Sequence, residues 1–412
     1  MTTMKRRMIW LSLSVLAVVV AITVVLVARR GEPDPITVGA VYNSSGGMKW
    51  LDRPGVEGLL LAAEQINQEG GVLGRDLEVV EVDGTTDTTE MTRLVSELVS
   101  NSDVVAIAGV NDPIHAISPI RGALRRADGG LITFSHSEMA LAVGKVTGPA
   151  GVPFVTAGST LSSLPDEIGD DLFMVAATHD AQASSSAEFA WDELDARRAW
   201  ILIGDGQEFT ASLAASFEQR WQELGGEVVG GDSYPPGELV ISEQIGRLQD
   251  LATAPEVILI ASLQNDGGYL VKQLREAGLS QPILFADVVD PRYIVAMAGD
   301  ISDVYISTHG SLVDPGDATR AFGTAYEVRY QHDPESATAL LGYDTMRLIA
   351  DAMERAGSTD RNLLSQSLAE TQDFEALTGR LSYTATRVPA KTITIMRYQD
   401  GTPVVAADIV PH

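Results

Sequence analysis

The sequence predicts an α/β protein with two doubly wound parallel-sheet lobes joined by a hinge, plus an N-terminal transmembrane helix. Short uncharged runs rich in β-branched residues alternate with stretches in which apolar residues recur at helical spacing, as in a parallel sheet covered on both faces. The alternation restarts near the middle of a chain of 412 residues, a length that favours two domains over one. An apolar run near the N-terminus is long enough to span a bilayer.

The first βα alternation follows a polar linker at residues 31–35. Continuous apolar runs predict buried strands at residues 36–41, 77–82 and 104–109. Apolar residues from Val56 to Ile66 recur at helical spacing and predict a helix between the first two strands. Asp87, with Glu90 three residues later, is typical of the N-terminal cap of the next helix.

The second half repeats the pattern and then changes character. Five further strands are predicted, at residues 199–204, 227–229, 256–261, 283–286 and 304–308. Apolar periodicity predicts five helices, at residues 210–224, 241–251, 267–277, 318–330 and 337–356. Near the C-terminus, residues 392–398 and 404–410 flank Asp400-Gly401, which predicts a β-hairpin.

The N-terminal thirty residues have the features of a membrane anchor. Basic residues precede an uncharged run at residues 8–28, and Arg29 and Arg30 follow it. Cleavage after Ala28 would leave the bulky Leu26 at the third position before the cut, where signal peptides have small residues. We therefore expect an uncleaved anchor that holds the rest of the chain on the extracytoplasmic face of the membrane. A long cleaved signal, which would give a secreted protein, is the alternative.

Composition narrows the possible functions of the exported part. Apolar residues make up 45% of the chain and charged residues 21%, which is typical of a folded globular protein. The 29 basic and 56 acidic residues give a net charge of −27, which argues against nucleic-acid binding. The chain has no cysteine, so disulfides, thiol catalysis and a cysteine-linked lipid anchor are excluded.

The sequence contains no recognisable catalytic motif. It has no phosphate-binding loop, no nucleophile elbow and no zinc-binding helix. None of the six histidines is spaced from another as metal ligands are. We therefore expect a protein that is not an enzyme and needs no cofactor or metal. An exported hydrolase is the weaker alternative.

Several segments together resemble one family. The segments are residues 36–47 (ITVGAVYNSSGG), 55–87, 103–110 (DVVAIAGV), 151–164, 201–209 and 269–287. They are similar to type I periplasmic solute-binding proteins of branched-chain amino acid (Leu/Ile/Val-binding) ABC transporters. The resemblance implies two α/β lobes with the ligand in the cleft between them. It implies a first lobe of residues 36–178 with about 309–380, and a second of 179–308 with about 381–412.

Ligands of open parallel sheets bind at the carboxyl ends of the strands, where loops lead into helices. The resemblance places ligand contacts in these loops. Ser159 and Thr160 would hold a ligand carboxylate, Asp287 would pair with an ammonium group, and Phe209 would close from the second lobe. Trp50 would lie at the pocket mouth, with Gln264 near another contact. All but Gln264 have a structural alternative: Ser159 and Thr160 could cap a helix, Phe209 could be core and Asp287 could cap a turn, while Trp50 could pack on the first helix or be exposed.

One departure from the family puts the ligand's identity in question. Asn111 and Asp112 stand where the family often has paired serines that bind the carboxylate, and Asp112 would repel such a group. Residues 129–149 also look inserted between the usual helix and strand. An amide, a urea-like molecule, a polyamine or another cation is therefore an alternative to an amino acid.

These observations predict an extracytoplasmic substrate-binding protein of an ABC transporter. It would close on an amino acid or related small polar solute by hinge rotation and then be read by an ABC permease in the membrane. The alternative from another class is a membrane-anchored ligand-sensing ectodomain or scaffold.

Overall fold

Two β-sheets, each covered by helices, organise the protein. The structure is a computed structural model that describes residues 33–46, 49–110, 138–206, 208–237, 240–262, 266–287, 294, 297–298, 301–313, 315–383, 385–399 and 402–411. The first sheet is parallel and has the strand order β2-β1-β3-β4-β5. Its strands are β1 (Ile36–Tyr42), β2 (Leu77–Asp83), β3 (Val104–Gly109), β4 (Phe154–Thr156) and β5 (Leu172–Met174).

The second sheet has the strand order β15-β14-β10-β9-β8-β6-β7. Its parallel part comprises β6 (Arg198–Gly204), β7 (Glu227–Tyr234), β8 (Val257–Ala261), β9 (Ile283–Phe285) and β10 (Val304–Thr308). A small antiparallel sheet follows in the chain, with β11 (Phe374–Ala376), β12 (Gly379–Tyr383) and β13 (Pro389–Ala390). The hairpin of β14 (Ile393–Gln399) and β15 (Thr402–Ile409) then extends the second sheet in antiparallel fashion.

Helices connect the parallel strands and cover both sheets. The first half has α1 (Lys49–Gln68), α2 (Thr88–Ser100), α3 (Glu138–Thr147), α4 (Leu164–Ile168), α5 (His179–Asp192) and α6 (Glu208–Glu223). The second half has α7 (Ser242–Gln249), α8 (Gly267–Glu276), α9 (Asp317–Tyr330), α10 (Thr338–Ala356) and α11 (Arg361–Ala369). Asp87 caps α2 as its spacing from Glu90 predicts, because its Oδ1 accepts hydrogen bonds from the backbone N–H groups of Thr89 and Glu90.

Each sheet has its own hydrophobic core, which defines a first and a second lobe. The core of the first sheet includes residues of β1 and α1, residues of α10, and also Leu381 and Tyr383. The core of the second sheet extends from Ala177 to Ile306 and adds Ile393, Ile395 and Tyr398. The chain therefore passes between the lobes three times: after β5, after β10 and between Tyr383 and Ile393.

Helices α1 and α10 approach each other closely through two glycines. A Cβ atom on Gly58 would lie 1.9 Å from the carbonyl oxygen of Ala339. A Cβ atom on Gly342 would lie 1.8 Å from the carbonyl oxygen of Gly55. Any larger residue at either position would force the helix backbones apart. This contact joins the N-terminal helix of the first lobe to a helix nearly three hundred residues later in the chain.

A buried lysine connects two of the chain crossings. Lys391, which is 3% exposed, donates to the carbonyl oxygen of Val175 just after β5 and to the hydroxyl of Thr378. The Thr378 hydroxyl and backbone N–H in turn donate to the buried carboxylate of Asp344. Burial lowers the pKa of Lys391 from 10.5 to about 8, although the Asp344 charge opposes the shift. Burial raises the pKa of Asp344.

The predicted α/β class and its parallel-sheet lobes are confirmed, and the predicted strands lie within a few residues of the observed ones. Strand β5, helices α3, α4, α5 and α11, and the small sheet were not predicted. Residues 138–147, part of the stretch that looks inserted, form α3, and the rest of that stretch before residue 138 is outside the described residues. The predicted anchor at residues 1–30 is outside them as well. Within the part of the chain that is described, no helix has the length and apolar character needed to cross a bilayer.

Candidate functional site

A cavity of about 280 Å³ lies where loops of both lobes meet. The second lobe contributes Asp287, two residues after β9, and His309 follows directly after β10, where the chain leaves the second sheet. The first lobe contributes Gly158, two residues after β4, and Trp50 in the first turn of α1. Residues 335–338, at the start of α10, complete this side. The cavity thus lies at the carboxyl ends of parallel strands, where such sheets bind ligands.

The Asp287 carboxylate is the most distinctive group of the cavity. Its side chain is 15% exposed, and its Oδ2 lies 2.7 Å from Nε2 of His309. Its Oδ1 has no hydrogen-bond partner among the described residues, and the same holds for Nδ1 of His309. His309 is itself 4% exposed. Two polar atoms on side chains that line the cavity therefore have no partner in the described part of the chain, and a buried polar atom without a partner is costly.

Gln182 of α5 binds the chain segments that carry Asp287 and His309. It is fully buried, and its Oε1 accepts from the backbone N–H of Asp287 (3.1 Å) and from the hydroxyl of Ser307 (3.2 Å). These two bonds tie the segment after β9 and the last residues of β10 to one helix. Gln182 therefore holds Asp287 and His309 in a fixed relation to each other.

The remaining walls are mainly apolar. Ile306 of β10 pairs with Met396 of β14 in the antiparallel ladder, and both line the cavity. Other apolar side chains come from both lobes: Leu51, Leu312, Val313, Leu341, Tyr398 and Pro403. Glu335 is the second acidic residue of the lining, and no lysine or arginine occurs among the lining residues that the structure describes. The cavity therefore offers a mainly apolar surface with two acidic residues, Asp287 and Glu335.

Of the eight sequence-predicted site residues, Trp50 and Asp287 line this cavity. Ser159 is fully buried and its hydroxyl accepts from that of Thr156 (2.7 Å), while the carbonyl oxygen of Thr160 accepts from the backbone N–H of His179. Phe209 is 2% exposed and belongs to the second core, its ring centroid 5.6 Å from that of His179. None of these three lines the cavity. Asn111, Asp112 and Gln264 lie outside the described residues.

Sequence reasoning missed His309, Gln182 and Glu335. His309 directly follows a predicted strand, so the expectation that ligands bind at the carboxyl ends of strands could have found it. Gln182 carries no such signal, because it lies inside a helix and acts only through the loops that fold against it. Glu335 lies before a predicted helix, and nothing in its neighbours distinguishes it from other exposed acids.

Comparison with known proteins agrees with this arrangement. The family model "Periplasmic binding protein" matches residues 35–403. The leucine-, isoleucine-, valine-, threonine- and alanine-binding protein of Pseudomonas aeruginosa is 22% identical over 326 residues, which cover 79% of each chain. Leu/Ile/Val-binding protein homolog 7 of Brucella suis is 24% identical over 361 residues, covering 83% of this chain and 82% of the relative.

Solved structures share the fold. The branched-chain amino acid transporter substrate-binding protein LivJ of Streptococcus pneumoniae, in complex with isoleucine, superposes with a TM-score of 0.73 at 24% identity, covering 91% of this chain and 99% of that one. A solute-binding protein of R. palustris in complex with benzoate gives a TM-score of 0.69 at 17% identity, covering 92% and 97%. With two parallel-sheet lobes, a cavity at their strand ends and a family match over nearly the whole described chain, this protein belongs to the periplasmic binding protein family.

Proposed function

We propose that this protein is the extracytoplasmic substrate-binding protein of an ABC transporter, and that it binds an amino acid or a related small polar solute in the cavity between its lobes. The observation that carries the proposal is the Asp287 carboxylate, which is mostly buried in a cavity that both lobes line and has one oxygen without a partner among the described residues. An unpaired buried acceptor favours a ligand that brings a donor or a positive charge.

Binding in such a cavity favours a closed arrangement of the lobes. A ligand that contacts both lobes binds more tightly when they are together, so it shifts the population toward closure. The three chain crossings would act as the hinge. The first lobe would comprise residues 36–178 with 309–390, and the second lobe residues 179–308 with 391–412. The last boundary is placed near residue 390 rather than 380 because Leu381 and Tyr383 belong to the first core.

The closed form would be recognised by a permease in the membrane. The uncharged run at residues 8–28, with basic residues on both sides, supports anchoring of the protein to the extracytoplasmic face. We propose that the protein carries out no chemical step, because the cavity between the lobes suits ligand binding and the sequence has no nucleophile–base motif.

The test is ligand-induced stabilisation of the purified full chain in detergent. The panel contains the twenty amino acids, their amides, benzoate and 4-methylpentanoate, followed by calorimetry on each compound that raises the melting temperature. At least one compound is expected to do so. Asp287→Asn is expected to weaken binding of a charged amine by about 2–5 kcal/mol.

Asp195→Asn is the matched control, since it removes the same charge from a side chain that is 90% exposed and far along the chain from the cavity loops. It should leave the affinity unchanged. A panel without any stabilising compound, or an Asp287→Asn variant that binds as the wild type does, would contradict the proposal.

A further inference from the structure

We infer that helix α9 (Asp317–Tyr330) is a gate of the cavity, which opens when the helix moves away from α1 while both lobes keep their cores. The structure shows the closed position, in which the helix is held by Glu57, a buried carboxylate of α1. The inference takes the cavity of the proposed function as the solute site, but its tests use no solute. Their failure is therefore distinguishable from a failure of the proposed function.

Helix α9 lies between two segments that line the cavity. Residues 310–313 line it a few positions before the helix, and residues 335–338 line it after the helix. Leu312, one of these residues, also packs against the small cluster that Phe322 and Tyr326 of α9 form with residues of α1 and α10. Movement of α9 would therefore carry a wall of the cavity with it.

The apolar attachment of α9 is small. Of its fourteen residues, Thr319, Phe322 and Tyr326 are buried, and Val328 is 71% exposed. Phe322 and Tyr326 belong to a separate cluster rather than to the core of either sheet. Segments with few buried apolar contacts open locally at a lower free energy than the whole protein unfolds. Release of α9 would therefore leave both sheet cores intact.

Hydrogen bonds to Glu57 hold α9 against α1. Glu57 is 7% exposed, and its Oε2 accepts from the hydroxyl of Tyr326 while its Oε1 accepts from Nε of Arg53 at 3.0 Å. The Tyr330 hydroxyl donates to the carbonyl oxygen of Glu57 at 2.8 Å. Hydrogen bonds to an ionised acceptor are roughly twice as strong as those between neutral groups. The bond from Tyr326 to the carboxylate is therefore a strong link between the two helices.

This link can break without leaving a buried charge unpaired. When Tyr326 leaves, Glu57 keeps its ion pair with Arg53 of the same helix, whose side chain is 64% exposed. Water then reaches the carboxylate, so its desolvation cost is relieved. An ion pair between the two helices, Arg329 with Glu64, is 52% and 46% exposed and contributes little. The closed position of α9 therefore depends strongly on the Tyr326 hydroxyl.

Hydrogen exchange of the full chain in detergent tests whether α9 opens locally. Strand β3, in which every residue is buried, is the reference. After correction for intrinsic rates, amides of α9 are expected to exchange roughly a hundredfold faster than those of β3, at rates that do not depend on urea below the unfolding transition. Amides of α9 that exchange as slowly as those of β3, or with the same urea dependence, would overturn the inference.

A single thiol in the cavity tests whether this opening gives access to it. The chain has no cysteine, so Met396→Cys introduces a unique thiol on the wall that β14 forms, at a position that is 9% exposed. Its rate of reaction with iodoacetamide is measured with and without Tyr326→Phe. The second substitution is expected to raise the rate about tenfold or more, because it removes the hydroxyl bond to Glu57.

Tyr343→Phe, combined with Met396→Cys, is the matched control. Tyr343 of α10 also donates from its hydroxyl to a side chain of α1, Gln65, at 2.7 Å, but it is not part of α9. Its substitution should leave the rate of the thiol reaction unchanged.

Two results of the thiol reaction would refute the gate. Equal acceleration by Tyr326→Phe and Tyr343→Phe would mean that loss of either hydroxyl loosens the first lobe as a whole. No acceleration by Tyr326→Phe would mean that the reagent enters by separation of the lobes alone. If a variant does not fold, hydrogen exchange of the unmodified protein decides the question.

Discussion

Replacement of Lys391 by methionine tests how much the buried amine between two chain crossings contributes to the free energy of unfolding. Methionine has similar length and no charge, so it fills the site but makes no bond to Val175 or Thr378. Near pH 7 the change leaves the buried Asp344 carboxylate without its compensating charge, although three donors from Leu377 and Thr378 remain. Removal of one partner of a buried ion pair costs about 3–5 kcal/mol, and the three donors favour the lower value.

The pH dependence gives the sharper test. Between pH 8 and 10.5 the folded protein binds fewer protons at Lys391 than the unfolded chain does, because burial lowers the pKa of this group. The free energy of unfolding of the wild type therefore rises with pH in this window, by about 1.4 kcal/mol per pH unit from this group. Relative to Lys391→Met, the wild type is expected to gain about 2 kcal/mol between pH 8 and 9.5.

Urea unfolding followed by tryptophan fluorescence measures both quantities, with the two proteins compared at each pH so that other titrating groups cancel. The double variant Asp344→Asn, Lys391→Met is the control, since it removes both charges and should recover part of the loss at pH 7. Parallel pH profiles, within about 0.5 kcal/mol of each other, would refute the assignment of a buried, titrating Lys391.

Two further predictions concern the first lobe. Gly342→Ala places a Cβ atom 1.8 Å from the carbonyl oxygen of Gly55 and should lower the free energy of unfolding by about 3 kcal/mol or more, as overpacking against backbone does. Gly323→Ala, in α9 with no atom within 4 Å of the new Cβ, should instead stabilise by about 0.5–1 kcal/mol; equal effects in urea unfolding would contradict the tight contact. Asp52→Ala removes a buried carboxylate that accepts from the backbone and side-chain N–H groups of Asn43 (2.7 and 2.8 Å) and should cost about 1–3 kcal/mol. An unchanged denaturation midpoint would show that Asn43 finds other acceptors.

Most of the parallel-sheet framework could be predicted because buried parallel strands are continuous apolar runs. Strands such as β3 and β8 consist almost entirely of buried apolar residues and are bounded by polar turns. Strands β11 and β13 have only three and two residues and mixed burial, so no alternation of apolar and polar residues can be recognised in them. Both pair with β12, whose Leu381 and Tyr383 belong to the core of the first lobe.

The site was predictable only in part. The family resemblance singled out Asp287 in a loop after a predicted strand, and its partner His309 follows the next strand of the same sheet. Ser159 and Thr160 satisfy the same rule but lie buried beneath the loop surface, which sequence position cannot reveal. Lys391 shows the limit most clearly, since a lysine is normally exposed and its compensating charge on Asp344 lies in another element.

The packing of α10 against α1 has a consequence for biosynthesis. The apolar face of the first sheet is not fully covered until residues 338–356 have left the ribosome and crossed the membrane. The second lobe depends less on distant segments of the chain, since most of its core comes from one continuous stretch. During export, therefore, the lobe that begins the chain is completed late, and its early strands need shielding from aggregation until their distant helix arrives.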